Sequence, residues 1–198
     1  MGLRWGFKTE ANETAREVRR ELGLCPAARL DPWRLADHLD IPVLALGHLA
    51  ASAPRALRQF QEADPGEFSA ITVFSGRRRL VVYNDVHSRG RQSSDLGHEL
   101  SHALLLHEPS PALDHLGCRL WQEDLEEEAD WLAGALLVSD EAALSVAANG
   151  VPTDLAAENY GVSEPMMRFR LNVTGAYARV ARRRGRSARR PVLGRAGE

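Results

Sequence analysis

A helix that carries two histidines one turn apart is the strongest constraint on this chain. Residues 96–107, LGHELSHALLLH, contain the pattern His98-Glu99-x-x-His102. On an α-helix, positions i and i+4 lie about 40° apart around the axis, whereas position i+1 lies about 100° away. Both imidazoles therefore face the same way with Glu99 beside them. This arrangement lets them bind one metal ion while the carboxylate acts on a water molecule, provided that the fold brings a third ligand to the helix.

The third ligand is expected on the next helical segment, EDLEEEADWLAGALL. The apolar stripe of that segment is formed by Ala129, Ala133, Leu136 and Leu137. Glu126 and Asp130 fall within the stripe, whereas Glu127 and Glu128 point away from it. Because a buried carboxylate without a partner costs several kcal/mol, Glu126 is predicted to bind the metal and Asp130 to accept a histidine N–H. Glu123, near the same face, is the alternative ligand.

Composition indicates an ordinary soluble globular protein. The 198 residues are 44% hydrophobic and 26% charged, which is typical of a chain with one full core. No apolar run reaches the roughly 20 residues that span a bilayer, and the first residues, MGLRWGFKTEANE, lack the apolar stretch of a signal peptide. Cys25 and Cys118 are too few for a disulfide framework. We therefore expect a cytoplasmic protein with reduced thiols and no membrane partner.

The pattern along the chain predicts an α+β fold. Residues 9–23 and the segment after Asp31-Pro32 have the periodicity and caps of helices. IPVLAL is typical of a buried strand, and SAITVF and RRLVVYN flank a turn, which predicts an antiparallel hairpin. From Ser93 onward the chain is predicted to be helical. We expect a compact domain over residues 1–150 with a small three-stranded sheet, a helical region over residues 151–176 and a flexible, arginine-rich tail over residues 177–198.

The C-terminal part combines a helical hairpin with positive charge. Residues 168–198 carry ten arginines and one acid, a formal charge of +9, which leaves −11 for residues 1–167. LAAENYGVSEPMMRFRL has the spacing of a helix-turn-helix. The arginines that would contact nucleic-acid phosphates are Arg168, Arg182, Arg183 and Arg184. The alternative, a plain hairpin packed on the first domain and followed by a solvated tail, is favoured because such hairpins are common in helical folds.

The remaining histidines are expected outside the cluster. His107 lies about 180° from His98 around the same helix, so only a helix break would bring it close. His115 lies in the loop that follows, from which it could reach the substrate cleft. His38, His48 and His87 are expected at the surface or in loops.

Four segments within residues 6–176 carry a family resemblance. They are GFKTEAN…AREVRRELGL, RRLVVYNDVHSRGRQSSDLGHELSHALLLH, EEEADWLAGALLVS and AAENYGVSEPMMRFRLNVTG. The HExxH helix and the later E-x-x-A-D segment are the most specific parts. Through them the chain resembles the ImmA/IrrE family of metallo-endopeptidases. The resemblance implies a zincin-like domain followed by a small helical region, zinc bound by His98, His102 and Glu126, and Glu99 as the general base.

The resemblance also implies a substrate. Members of that family are often encoded beside a helix-turn-helix repressor and cleave it, which relieves repression in DNA-damage, stress or mobile-element responses. Peptide hydrolysis of this kind needs a donor to the tetrahedral oxyanion besides the ion, and Tyr160, His115 and Arg170 are the candidates. Two histidines and a glutamate accept several divalent ions, so Mn²⁺ is an alternative to Zn²⁺.

Two other functions stay open. The chain could be a DNA-binding regulator that keeps the peptidase fold around a structural zinc ion, although Glu99 argues against this because a structural site needs no base. It could also be a protease whose activity is gated by nucleic acid bound to the basic C-terminal segment.

Overall fold

The computed structural model describes residues 2–60, 68–76, 78–108 and 123–188. Over these residues a small sheet is covered by helices, which confirms the predicted α+β organisation. The helices are α1 (Phe7–Glu21), α2 (Pro32–His38), α3 (Pro54–Arg58), α4 (Arg89–Leu104), α5 (Glu123–Leu137), α6 (Asp140–Asn149), α7 (Thr153–Tyr160), α8 (Glu164–Val173) and α9 (Ala176–Ala188), with a 3₁₀ turn at Leu46–Leu49. The strands are β1 (Val43–Ala45), β2 (Ala70–Ser75) and β3 (Arg78–Tyr83).

The sheet has the order β1-β3-β2. β2 and β3 form the predicted antiparallel hairpin, with Ala70 opposite Tyr83, and β1 runs parallel to β3, with Val43 opposite Val81. β2 is consequently an edge strand. Helix α4 packs against both β2 and β3, so the sheet supports the helix that carries the two histidines.

The N-terminal helices form where their caps and apolar stripes predict them. α1 begins two residues earlier than expected, at Phe7, after Gly6 with a φ of 84°. Its buried stripe includes Phe7, Ala11, Ala15 and Val18, and it packs on α5. α2 begins at Pro32, and the Asp31 side chain caps it by accepting the N–H of Trp33 at 3.0 Å.

The pairing of α4 with α5 positions the site. The predicted apolar stripe of α5 is buried in the core, at Ala129, Ala133, Leu136 and Leu137. A Cβ atom at Gly97 would lie only 2.8 Å from Cδ1 of Leu137, so a glycine at this point lets the two helices approach closely. No single helix of the described part of the chain is long and apolar enough to cross a membrane, and α5 and α6 reach that length only together, across a bend of 58°.

The helix-turn-helix spacing forms a hairpin that belongs to the main core. α7 and α8 flank a turn at residues 161–163, and Ser163 in that turn is hydrogen-bonded to Ser94 of α4 at 3.1 Å. Met167 and Leu171 of α8 lie in the same hydrophobic cluster as α1, α4 and α5. The hairpin predicted over residues 151–176 therefore packs on the same core as the helices that precede it.

The first part of the segment predicted as a flexible tail is a helix, which corrects that prediction. α9 packs on α6, and the guanidinium of Arg184 donates to the carbonyl oxygen of Ala148 at 2.7 Å. Ala176 and Val180, four residues apart, turn the apolar side of α9 to the core. Residues 189–198 lie outside the described part of the chain.

Candidate metal centre

Helices α4 and α5 bring two imidazoles and one carboxylate together. Nε2 of His98 lies 3.0 Å from Nε2 of His102 and 3.1 Å from Oε2 of Glu126. Nε2 of His102 lies 3.6 Å from the same Glu126 oxygen. One ligand atom from each of these residues lies within 4.8 Å of the other two, and we call the three residues the His98–His102–Glu126 cluster.

The cluster has the dimensions of a zinc site. Ligand atoms that lie about 2.0–2.2 Å from a tetrahedral ion are about 3.4 Å apart, and the three observed separations lie on either side of that value. Two imidazole nitrogens and one carboxylate oxygen also match the donors that zinc takes in catalytic centres. The three side chains are each about a quarter exposed, at 23%, 22% and 26%. The donor set thus fits an ion with a position open to solvent, unlike a closed structural site.

The electrostatics of the cluster are those of an anion between two imidazoles. Hydrogen bonding with His102 and His98 holds the pKa of Glu126 at about 2. Burial acts to lower the pKa of His98, but its hydrogen bonds to Asp130 and Glu126 outweigh burial and raise that pKa to about 10. The site therefore favours positive charge next to the Glu126 carboxylate, which is what a bound cation supplies.

Asp130 contacts His98 on the side away from the cluster. Its Oδ1 atom lies 2.8 Å from Nδ1 of His98, and an N–H held there turns the Nε2 atom toward the cluster. Its side chain is 68% exposed, so Asp130 lies at the solvent edge of α5 instead of within the buried stripe. The structure brings Asp130 and His98 together as expected, but Asp130 is exposed and not buried.

His107 lies close to His102 because the helix breaks, which is the condition that the sequence set, whereas the expectation that Glu128 points away from the core is wrong. α4 ends at Leu104, and the left-handed conformation of Leu106, with a φ of 55°, turns the chain back. Nδ1 of His107 consequently lies 2.9 Å from Nδ1 of His102, and Nε2 of His107 lies 3.4 Å from Oε2 of Glu128. Glu128 is buried on the side of α5 that faces the N-terminal residues, where it meets Arg4. Burial, together with the neighbouring His102, lowers the pKa of His107.

Glu99 is held by a residue that the sequence did not single out. The hydroxyl of Thr72, on β2, donates to Oε2 of Glu99 at 2.5 Å. Both residues are partly buried, and the contact joins the edge strand to the helix of the HExxH motif. The alternating pattern of SAITVF predicts a strand but does not indicate which face meets α4, so the sequence carries no sign of this contact.

Two of the three candidates for the oxyanion donor form hydrogen bonds with other residues of the fold. The Tyr160 hydroxyl donates to the carbonyl oxygen of Ala27 at 3.0 Å. The Arg170 side chain is fully buried, where it donates to the Val138 carbonyl oxygen at 2.8 Å and pairs with Asp140. Both side chains thus have partners within the fold, and a role for either in binding the oxyanion stays a prediction. The third candidate, His115, lies outside the described residues.

The structure also locates the alternative metal ligand and the arginines proposed to contact phosphates. Glu123 is the exposed first residue of α5, and the cluster takes Glu126 instead. Arg168 is exposed on α8 and pairs with Glu164. Three further arginines are exposed on α9, Arg182, Arg183 and Arg184.

A comparison with protein families matches more than half of the chain. Residues 53–172 match a family model described as Peptidase_M78, IrrE N-terminal-like domain. This span contains all of α4 and α5, and with them the His98–His102–Glu126 cluster and Glu99. No protein with a curated description matches the chain at a significant level.

Proposed function

The chain belongs to the IrrE N-terminal-like family of peptidases, and from that premise we propose that it is a zinc-dependent endopeptidase that cleaves a helix-turn-helix transcriptional repressor. The family confirms the resemblance found in the sequence, and the compact α+β fold is of the zincin-like type that the resemblance implies. Membership supports a metallopeptidase-type function. The observation that carries the finer proposal is the open His98–His102–Glu126 cluster.

The residues divide the chemistry between them. Zinc held by the cluster would supply a Lewis acid that polarises the scissile carbonyl and acidifies water. Glu99 flanks the cluster from the next position on α4, where its carboxylate accepts the proton of the attacking water and returns it to the leaving amine. Thr72 orients Glu99 by donating to one carboxylate oxygen and leaves the other oxygen for that proton. Mn²⁺ could occupy the same donor set.

The edge strand β2 offers a binding mode for the substrate. β3 pairs with one side of β2, and no strand of the described residues pairs with its other side. An extended peptide can add to such an edge through main-chain hydrogen bonds. Because Thr72 of β2 contacts Glu99, a peptide on this edge would lie next to the general base. The three exposed apolar residues of β2 would contact the substrate side chains: Ile71, Val73 and Phe74.

The repressor substrate is proposed from the resemblance of this chain to peptidases that cleave a co-encoded regulator. We place the reaction in the cytoplasm, where such a repressor binds DNA, and in the stress, DNA-damage or mobile-element response that the repressor would control. The open position of the cluster suits a protein substrate, because a chain segment can approach the site from solvent.

The test is a cleavage assay with the purified protein and a helix-turn-helix regulator encoded beside it. With zinc present, we expect two fragments that mass spectrometry assigns to one scissile bond, and no fragments after chelation or in the Glu99→Gln variant. Glu99→Gln should still bind zinc, because the ligands are unchanged. A matched control is Glu127→Gln, which makes the same change on α5. Cleavage by Glu99→Gln at the parental rate would exclude the mechanism.

A second candidate function, regulation by nucleic acid, is favoured by one observation on α9. Four arginines of this helix, Arg179, Arg182, Arg183 and Arg186, line a cavity of about 840 Å³ together with Leu144 of α6. Several guanidinium groups around one cavity suit a phosphate backbone. α8 suits it less, because Arg170 is buried and only Arg168 of this helix offers an exposed guanidinium. Duplex DNA should therefore bind through α9, with an affinity that falls steeply with salt.

The Arg182→Ser/Arg183→Ser variant tests this second candidate, since both side chains are exposed and the change leaves the apolar side of α9 intact. Arg168→Ser is the matched control on α8. We expect the α9 variant to lose DNA affinity and any stimulation of cleavage by DNA. Equal DNA binding by the parent protein and both variants would exclude a role for α9.

A further inference from the structure

Four polar side chains form a continuous line from the N-terminus to the metal cluster. Nε of Arg4 donates to Oε1 of Glu128 at 2.8 Å, and Oε2 of Glu128 lies 3.4 Å from Nε2 of His107. Nδ1 of His107 lies 2.9 Å from Nδ1 of His102, whose Nε2 atom faces His98 and Glu126. We call this set the Arg4–His102 line.

The direction of each hydrogen bond follows from the chemistry of the groups. The Glu128 carboxylate can only accept, so the proton between it and His107 belongs to Nε2 of His107. A neutral His107 then has a lone pair on Nδ1, which accepts the Nδ1–H of His102. A proton on Nδ1 of His102 leaves its Nε2 lone pair free, and Nε2 is the atom that belongs to the cluster.

The local backbone is shaped to make this contact. Leu106 takes the left-handed conformation, which is unfavourable for a residue with a Cβ atom. This turn lets the backbone N–H of His107 donate to the carbonyl oxygen of His102 at 3.0 Å, so main chain and side chain both join these residues. His107 and Glu128 have side chains only 7% and 10% exposed, which shields the contacts from water.

We propose that His107 and Glu128 are positioning residues for His102, which fix its Nδ1–H tautomer and aim its Nε2 atom at the metal. The inference rests on the proposed metal site. His98 has an equivalent partner in Asp130, but Asp130 is exposed and acts alone. The buried His107–Glu128 pair holds the second ligand more tightly, because contacts in a low dielectric are stronger.

The first test compares His107→Phe with His107→Asn. Phenylalanine keeps the ring but removes the acceptor, whereas the asparagine amide oxygen can accept the Nδ1–H of His102. Zinc affinity, measured by competition with a chromogenic chelator, should fall about 10- to 100-fold in His107→Phe and recover most of that loss in His107→Asn. In ¹⁵N NMR of the zinc-loaded protein, the His102 Nδ1–H signal should move upfield in His107→Phe only.

Glu128→Gln provides a second test that changes little volume, in case His107→Phe does not fold. The amide oxygen of the glutamine must accept from Arg4, so its N–H₂ group donates to Nε2 of His107. His107 then carries its own proton on Nδ1 instead of Nε2. Two N–H groups then oppose each other between His107 and His102, and zinc affinity should fall at least about tenfold. Glu127→Gln, the same change one residue earlier, should bind zinc like the parent.

The outcomes separate this inference from the proposed function. A parent protein that does not bind zinc would overturn the metal site itself. A parent that binds zinc, with affinity unchanged in folded His107→Phe or in Glu128→Gln, would overturn only the positioning role. An equal loss of affinity in His107→Phe and His107→Asn would also overturn it, since the acceptor would then not matter.

Discussion

The hydroxyl of Thr72 lies 2.5 Å from Oε2 of Glu99, so the edge strand β2 holds the carboxylate of the HExxH helix. This contact joins the strand proposed to bind the substrate to the group proposed to move the proton. A hydrogen bond to an ionised group is stronger than one between neutral groups. The orientation of Glu99 consequently depends on the sheet as well as on its own helix.

Thr72→Val should reduce the rate of hydrolysis while zinc stays bound. Valine keeps the shape of threonine but removes the donor, and a hydrogen bond to a charged group is worth about 1.5–3 kcal/mol, which corresponds to a loss of roughly ten- to a hundredfold in kcat. Thr72→Ser restores a hydroxyl and should recover most of the rate. Steady-state kinetics check this, and a Thr72→Val variant with parental kcat would show that Thr72 does not orient Glu99.

Glu126→Ala should weaken zinc binding more than about 100-fold, because it removes one of the three proposed ligands. Glu123→Ala is the control, since Glu123 is the ligand that the sequence left as an alternative and it is exposed at the start of α5. Calorimetric titration of the metal-free protein with zinc distinguishes the two. Weaker binding in Glu123→Ala with parental binding in Glu126→Ala would reverse the assignment.

The central pair of helices could be predicted because its determinants are local or periodic. The one-turn spacing of His98 and His102 defines a face of one helix regardless of the rest of the fold. Glu126 could be selected because an apolar stripe must meet the core, and a carboxylate within it needs a partner. The observed cluster consists of these three residues.

The contacts around the cluster could not be predicted because they depend on where chain segments end and meet. His107 reaches His102 only because α4 stops at Leu104 and Leu106 takes a left-handed conformation. Glu128 is buried because Arg4, 124 residues away in the chain, lies next to it. A helical wheel assumes an unbroken helix and ignores other segments, so it leaves His107 far from His98 and Glu128 in solvent.

The C-terminal helix shows a different kind of error, in which charge concealed periodicity. The arginines of residues 177–188 suggested a solvated tail. Ala176 and Val180, four residues apart, were nonetheless enough to form an apolar side against the core. The arginines do lie on the exposed face of α9, but their number gave no sign of its buried apolar face.

Arg170→Met should destabilise the fold by about 3 kcal/mol, because it leaves the Val138 carbonyl oxygen and part of Asp140 without their buried partner. Arg168→Met is the matched control on the same helix. Arg168 pairs with Glu164 at the surface, so its loss should cost less than about 1 kcal/mol. Urea denaturation compares the two variants, and an Arg170→Met variant as stable as Arg168→Met would contradict the structural role of the buried guanidinium.

Tyr160→Phe should keep peptidase activity and lose about 1 kcal/mol of stability near neutral pH, because the hydroxyl donates to Ala27 inside the fold. Burial, although opposed by Arg19, raises the pKa of Tyr160 above its ordinary value of about 10. Above pH 10 the unfolded chain therefore loses this proton while the folded chain keeps it, so the contribution of Tyr160 to stability falls as pH rises. The stability difference between parent and variant should narrow from pH 9 to pH 11 in denaturation experiments. A folded Tyr160→Phe variant without activity would indicate that the Tyr160 hydroxyl takes part in the reaction.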